Sequence, residues 1–158
     1  MLDTYTVTFT GHRCIDNILQ VEMRLEKIIR ELIQDHEYVE FLVGRDGEFD
    51  QIVSSTVIRM KKRSGNNNCA LVWVMPYLNA EYENNTESFD NYYDEIEICE
   101  ESSCAHFKGA IQIRNRHMVD RASLLICFVD HESGGAYQTL KYARKQRKSI
   151  INLAEENE

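Results

Sequence analysis

The sequence predicts an α/β protein of the Rossmann-like, three-layer α/β/α type, with a mainly parallel five-stranded sheet. Three observations predict it. The runs CALVWVM at 69–75 and LLICFV at 124–129 are unbroken apolar stretches of strand length, as expected of strands covered on both faces. Between the strand-like runs lie longer segments whose apolar residues recur at helical spacing. Strands alternating with helices imply parallel pairing through right-handed crossovers. The expected strand order is 3-2-1-4-5, which puts the switch point between the first and fourth strands. In sheets of this kind the ligand crevice opens there, outside the carboxyl ends.

Thr4 to Thr10 (TYTVTFT) is β-branched and aromatic and reads as the first strand, ending at Gly11-His12-Arg13. A glycine at that end permits a sharp turn or close approach of a ligand, and Arg13 adds positive charge. Asp16 or Asn17 can cap the helix that follows, whose apolar face is Val21, Leu25, Ile28, Ile29, Leu32 and Ile33. Glu26 and Arg30 are spaced as an outer i,i+4 pair on it. Tyr38 to Val43 is the second strand and gives way to Gly44-Arg45-Asp46-Gly47, with Phe49, Ile52, Val53, Thr56, Val57 and Met60 facing inward on the next helix. Glu48 and Asp50 fall in its first turn, where acids either offset the helix dipole or bond ribose hydroxyls and polarise water. Lys61, Lys62 and Arg63 suit the helix end, and SGNNN turns the chain into the third strand, in which Trp73 reads as core.

The chain of 158 residues is long enough for a real core, and it is read as one domain over 1–158. Hydrophobic residues make up 43% and charged residues 28%, a globular composition. No apolar stretch has membrane-span length and the N-terminus has no signal-type block, so a cytoplasmic protein without a membrane partner is expected. The net charge of −8 is concentrated: the segment 77–103 carries nine acidic residues and neither Lys nor Arg, leaving 17 acidic against 18 basic residues elsewhere. Nothing in this distribution forms the broad basic patch that polynucleotides require, and a nucleic-acid partner is not expected. The acidic segment also holds Tyr77, Tyr82, Tyr92 and Tyr93 and is expected to be an insertion serving as a lid, a binding loop or a disordered stretch. Its tyrosines could stack on a base or pack against a second subunit, as in a homodimer. Five cysteines, an odd number, argue for reduced thiols. Cys99, Cys104 and His106 lack paired C-x-x-C spacing and a nearby fourth ligand, so no metal centre is expected.

Phe107 to Arg121 reads as a helix leading into the fourth strand, and Ser149 to Leu153 as the fifth strand. On that helix Arg114 and Asn115 share a face with each other or with Met118 and Val119, ahead of Asp120. The arginine fork suits phosphate, and asparagine, both donor and acceptor, suits a base or ribose edge. Beyond the fourth strand, Ser133-Gly134-Gly135 opens a helix with Ala136, Leu140 and Ala143 on one side. Its free N–H groups would stabilise an anion at the sheet edge. Gly11 to Arg13, Gly44 to Asp50 and Ser133 to Gly135 all converge on the expected crevice.

The stretches TFTGHR at 8–13, GRDGEFD at 44–50 and RNRHMVDRASLLICFVDHESGGAYQTLKYA at 114–143 resemble the SLOG superfamily, the Rossmann-like group named for the Smf and LOG proteins, and most of all its YpsA-like branch. The resemblance implies a nucleotide or nucleotide-derived ligand at the C-terminal edge of the sheet, phosphate near Gly134 and Gly135, with Arg13 and Arg114 in contact, in a sensor or regulatory module. No further cofactor is implied. LOG enzymes, which cleave the N-glycosidic bond of nucleoside monophosphates, carry P-G-G-x-G-T-x-x-E at this turn. The sequence SGGAYQTL at 133–140 lacks its later glycine, threonine and glutamate. A nucleotide N-glycosidase using Glu48, with Asp50 and Asp120 behind it, is therefore the alternative.

Overall fold

The computed structural model describes residues 3–65 and 67–155; Asn66, within the expected SGNNN turn, lies outside them. Among the described residues thirteen elements follow one another: β1 (Thr4–Gly11), α1 (Ile18–Asp35), β2 (Tyr38–Val43), α2 (Glu48–Arg63), β3 (Cys69–Met75), α3 (Ala80–Asn84), α4 (Thr86–Tyr92), β4 (Glu95–Ile98), α5 (Glu100–Ser103), α6 (Phe107–Arg121), β5 (Leu124–Phe128), α7 (Gly134–Lys145) and β6 (Ser149–Asn152). Every strand pair is parallel, and the sheet runs β4-β3-β2-β1-β5-β6.

The period of two along the central strands divides their side chains between two helical layers. Val7 and Phe9 of β1, Phe41 and Val43 of β2, and Leu71 and Trp73 of β3 join the buried faces of α1 and α2 in one core. Leu42, Val72 and Val74 point the other way and meet Met118 of α6, while Leu125 and Cys127 of β5 meet Val119 of α6 and Leu140 of α7. On α1 the buried residues are Val21, Leu25, Ile29 and Ile33, one residue every turn, as the spacing requires. Asn17 occupies its N-cap in the left-handed region (φ 58°) and makes no side-chain cap bond. The expected Glu26–Arg30 pairing is replaced by a bridge between helices, in which Arg59 of α2 reaches both Glu22 (3.2 Å) and Glu26 (3.3 Å) of α1.

The strand order agrees with expectation for the five strands read from sequence, but the sheet has a sixth. It lies inside the acidic segment, which is folded rather than an irregular loop. Asp94 pins its entry: its backbone N–H donates to Leu71 O (3.0 Å), its carboxylate accepts the Leu71 N–H (2.8 Å), and Lys61 Nζ lies 2.6 Å away. From there Glu95–Ile98 pairs with Val72–Met75. Ahead of it, Tyr82, Phe89 and Tyr93 close around Trp73 with ring centroids 6.0, 5.1 and 5.1 Å away. Two of the segment's tyrosines thus pack on the chain's own core. Among the described residues no helix is long and apolar enough to cross a membrane. All five cysteines are free thiols, Cys69, Cys99 and Cys127 buried and Cys14 and Cys104 exposed.

Candidate functional site

The chain departs from β1 toward one side of the sheet and from β5 toward the other, so the loops beyond these neighbouring strands separate and leave a crevice. A cleft of about 280 Å³ fills it. Its walls come from Thr10 to Arg13 at the end of β1, Gly44, Asp46 and Asp50 around the start of α2, Ile111, Arg114, Asn115 and Met118 of α6, and His131 and Ser133 to Ala136 before and within α7.

Most residues singled out in the sequence therefore meet: Gly11, His12, Arg13, Gly44, Asp50, Arg114, Asn115, Ser133, Gly134 and Gly135 all line the cleft. Four do not. Glu48 accepts the Ile15 N–H on its carboxylate (2.9 Å) while its own N–H donates to Arg13 O (3.0 Å), so it staples the loop after β1 to α2. Arg45 turns outward to Glu81 (3.3 Å) and lies over the Phe89 ring, 4.9 Å from its centroid. Gly47 packs against the loop after β1, where a Cβ would stand 2.7 Å from Arg13 Cα. Asp120 accepts the Tyr142 hydroxyl (2.7 Å) and joins α6 to α7.

Arg114 sits at the floor with 1% of its surface exposed. Its guanidinium donates to Val74 O (2.9 Å), to Asn115 Oδ1 (3.0 Å) and to the Asp46 carboxylate. Three acceptors of the protein itself thus occupy the fork that sequence reasoning assigned to a ligand phosphate. Arg114 positions Asp46, and Asn115 passes the contact on to α7 by donating to Thr139 Oγ1 (3.2 Å). Sequence reasoning missed Asp46, though its signal was present in an acid set between two glycines directly after a strand, one turn before Asp50.

Asp50 is buried, and one of its oxygens accepts the Asp46 N–H at 2.9 Å. Burial, then the adjacent Asp46 charge, push its pKa up to about 6, against the opposing Asp46 N–H bond and the Arg114 charge. The native state thus holds this proton at pH values where the unfolded chain, with an ordinary carboxyl near 3.8, has lost it. The contribution to stability is full below about pH 4 and is lost as pH rises through about 6. Asp50→Asn, which keeps an acceptor, should remove that slope and stabilise the protein above pH 7 by up to about 3 kcal/mol, at 1.36 kcal/mol per pKa unit. Urea denaturation of both proteins from pH 4 to 8 checks it; parallel profiles would show that Asp50 ionises normally.

On the far rim two imidazoles stack, His12 on His131, with centroids 3.7 Å apart. Burial and then the His131 charge lower the His12 pKa, partly offset by Asp130. A hydrogen bond from His131 holds the Asp130 carboxyl below its usual range. Gly134 opens α7 at φ 88°, a conformation that other residues avoid, so its glycine is required by backbone geometry. Gln112 Nε2 donates to Gly135 O (3.2 Å) and fixes the turn from the α6 side.

No family model and no curated protein matches this sequence. Solved structures do. DNA processing protein A from Streptococcus pneumoniae superposes with a TM-score of 0.68 at 15% identity, over 92% of this chain and 49% of that one. DNA processing protein A from Helicobacter pylori, described for its single-stranded DNA binding mode, gives 0.64 at 15% identity over 97% of this chain and 68% of that one. The chain thus spans about half the length of the Streptococcus protein. At 15% identity the likeness shows the fold, a parallel α/β sheet with helices on both sides. It also corrects the expectation against a nucleic-acid partner, because the Helicobacter protein that shares this fold binds single-stranded DNA. Even with the nine carboxylates of 77–103 set apart from a near-neutral remainder, charge counted along the sequence does not describe the potential in a crevice that strand order assembles from distant turns.

Proposed function

We propose that the crevice binds single-stranded nucleic acid, seating one nucleotide unit against the N-terminus of α7. The observation that carries this reading is the convergence of three strand-end turns on one cleft, in a fold that a single-stranded-DNA-binding protein shares. The phosphate belongs at Ser133 to Gly135, where α7 offers unpaired N–H groups, and Arg13, exposed at the rim, supplies the counter-charge. It does not belong beside Asp46 and Asp50, whose carboxyls suit ribose hydroxyls or base N–H groups. Within the superfamily, Gly11-His12-Arg13 and the Arg114-Asn115 pattern followed by Gly134-Gly135 support the YpsA-like branch, and with it a cytoplasmic location.

Fluorescence anisotropy of a labelled thymidine oligonucleotide tests the assignment over a range of salt. Arg13→Ala should weaken binding about tenfold and reduce the salt slope by about one. Gly134→Val should weaken it at least as much by displacing the turn, at a cost to the fold of roughly 1–2 kcal/mol. Unchanged affinity in both variants would remove the cleft from the interface.

A free nucleotide is the second reading, favoured by the small volume of the cleft, about 280 Å³ against roughly 300–1,000 Å³ for typical ligand sites. In this reading a mononucleotide would raise the melting temperature and the oligonucleotide would bind no tighter than it. Should hydrolysis accompany binding, the acid would be Asp50 rather than Glu48, since Asp50 alone of the two lines the cleft and its pKa of about 6 suits proton transfer near neutrality.

A further inference from the structure

Phe107 opens α6 with 63% of its surface exposed, although its position belongs to the inward face of that helix. Phe107, Ile111, Arg114 and Met118 recur at helical spacing and form one stripe. Arg114 and Met118 are buried against the sheet, and Ile111 lines the cleft. Phe107 continues the stripe one turn, about 5.4 Å, beyond Ile111. Because α6 leads directly into the start of β5, it runs against the strands, and its first turn stands at the carboxyl edge where the cleft opens. Helical side chains lean toward the N-terminus, which carries the ring further past that edge. A single exposed apolar residue is ordinary on a surface; this one overhangs the mouth of the cleft. Its ring is also held. His106, whose Nδ1 caps α6 by accepting the Lys108 N–H (3.3 Å), stacks on it with centroids 5.1 Å apart and planes 26° from parallel. One face of the phenyl ring thus has a neighbour, and the exposure belongs to the other.

We infer that Phe107 is a stacking platform for a second base of the bound strand, the one next to the nucleotide seated in the cleft; this rests on the single-stranded nucleic-acid reading above. The cleft, at about 280 Å³, has room for one nucleotide unit, so the neighbouring unit passes over the rim. Two of the tyrosines expected from the sequence to stack on a base are taken up by the chain's own core around Trp73. Every base presents a π face, so a phenyl ring adds affinity without choosing sequence. The bases of a duplex are already stacked on one another and offer it no free face. The platform therefore favours single strands over duplex.

The test compares a labelled thymidine oligonucleotide with a strand of equal length made of abasic residues, by fluorescence anisotropy on the full chain. Phe107→Ala should weaken binding of the thymidine strand about tenfold, within the range for one stacked base, and so should Phe107→Leu, which keeps apolar bulk without a ring. On the abasic strand the difference between these variants and the wild type should vanish. Phe107→Trp should restore thymidine affinity, and the bound strand should quench its indole emission; Trp73, the native tryptophan, is buried and gives a steady background. Circular dichroism should be unchanged throughout, since the position is exposed. The inference is overturned if Phe107→Ala binds thymidine as the wild type does while Arg13→Ala has lost affinity, a result that leaves the cleft reading standing. It is overturned equally by the same loss on the abasic strand, which would make Phe107 structural. A wild type that binds no thymidine strand removes the cleft reading, and this inference with it.

Discussion

Arg114→Ala is expected to destabilise the protein by about 3–5 kcal/mol, the cost of deleting a large buried side chain and leaving its acceptors without their donor. The side chain is 1% exposed, and its removal strips Val74 O, Asn115 Oδ1 and the Asp46 carboxylate of their donor at once and leaves a cavity between α6 and the sheet. Arg114→Lys keeps the charge but cannot reach three acceptors with one ammonium, so it should recover only part of the loss. Urea midpoints at constant slope measure both. A loss below about 1 kcal/mol would return Arg114 to the role of ligand contact. Any binding defect in this variant has to be compared with its melting temperature, because Asp46 moves with its partner.

Trp73→Ala should cost about 3–5 kcal/mol, the range for deleting a large buried aromatic side chain. Here the loss is also local. Trp73 is 2% exposed, and Tyr82, Phe89 and Tyr93, which close on it, are what attach residues 80–93 to β3. Proteolysis of the variant should therefore cut first within α3 and α4, at a denaturant concentration where β1, β2 and β5 still resist. Cleavage spread evenly over the chain would show that the segment has no separate stability.

The particular residues show why some of this was legible in the sequence and some was not. The central strands announce themselves because burial on both faces requires unbroken apolar runs, and α1 because one face repeats every turn. β4 reads EIEI in a stretch of nine carboxylates. Its alternation spans only four residues, and its pairing rests on Asp94 meeting Leu71, a contact between residues far apart in the chain. The convergence of Gly11, Gly44 and Gly134 on one crevice was legible, because strand order alone brings those turns together. The inward turn of Arg114 was not. An arginine and an asparagine on a polar helix look like surface residues until the opposite wall supplies Val74 O and Asp46. The partner was misjudged for a related reason: with the acidic segment set apart, a near-neutral remainder still does not show which groups strand order gathers at the cleft.

Among the described residues β4 closes one side of an all-parallel sheet, and its outer backbone groups have no neighbouring strand. Such a border is a template on which another copy of the chain can add a strand, the first step of runaway stacking. Here Glu95 and Glu97 stand on the border strand itself, in the segment that holds nine of the chain's carboxylates and not one Lys or Arg. Glu97 is paired with Arg121 (3.0 Å), but Glu95 is exposed, and a second copy approaching in register would set Glu95 and the acidic segment against their like. The composition that reads as disorder thus acts as a guard, letting the sheet stop at six strands.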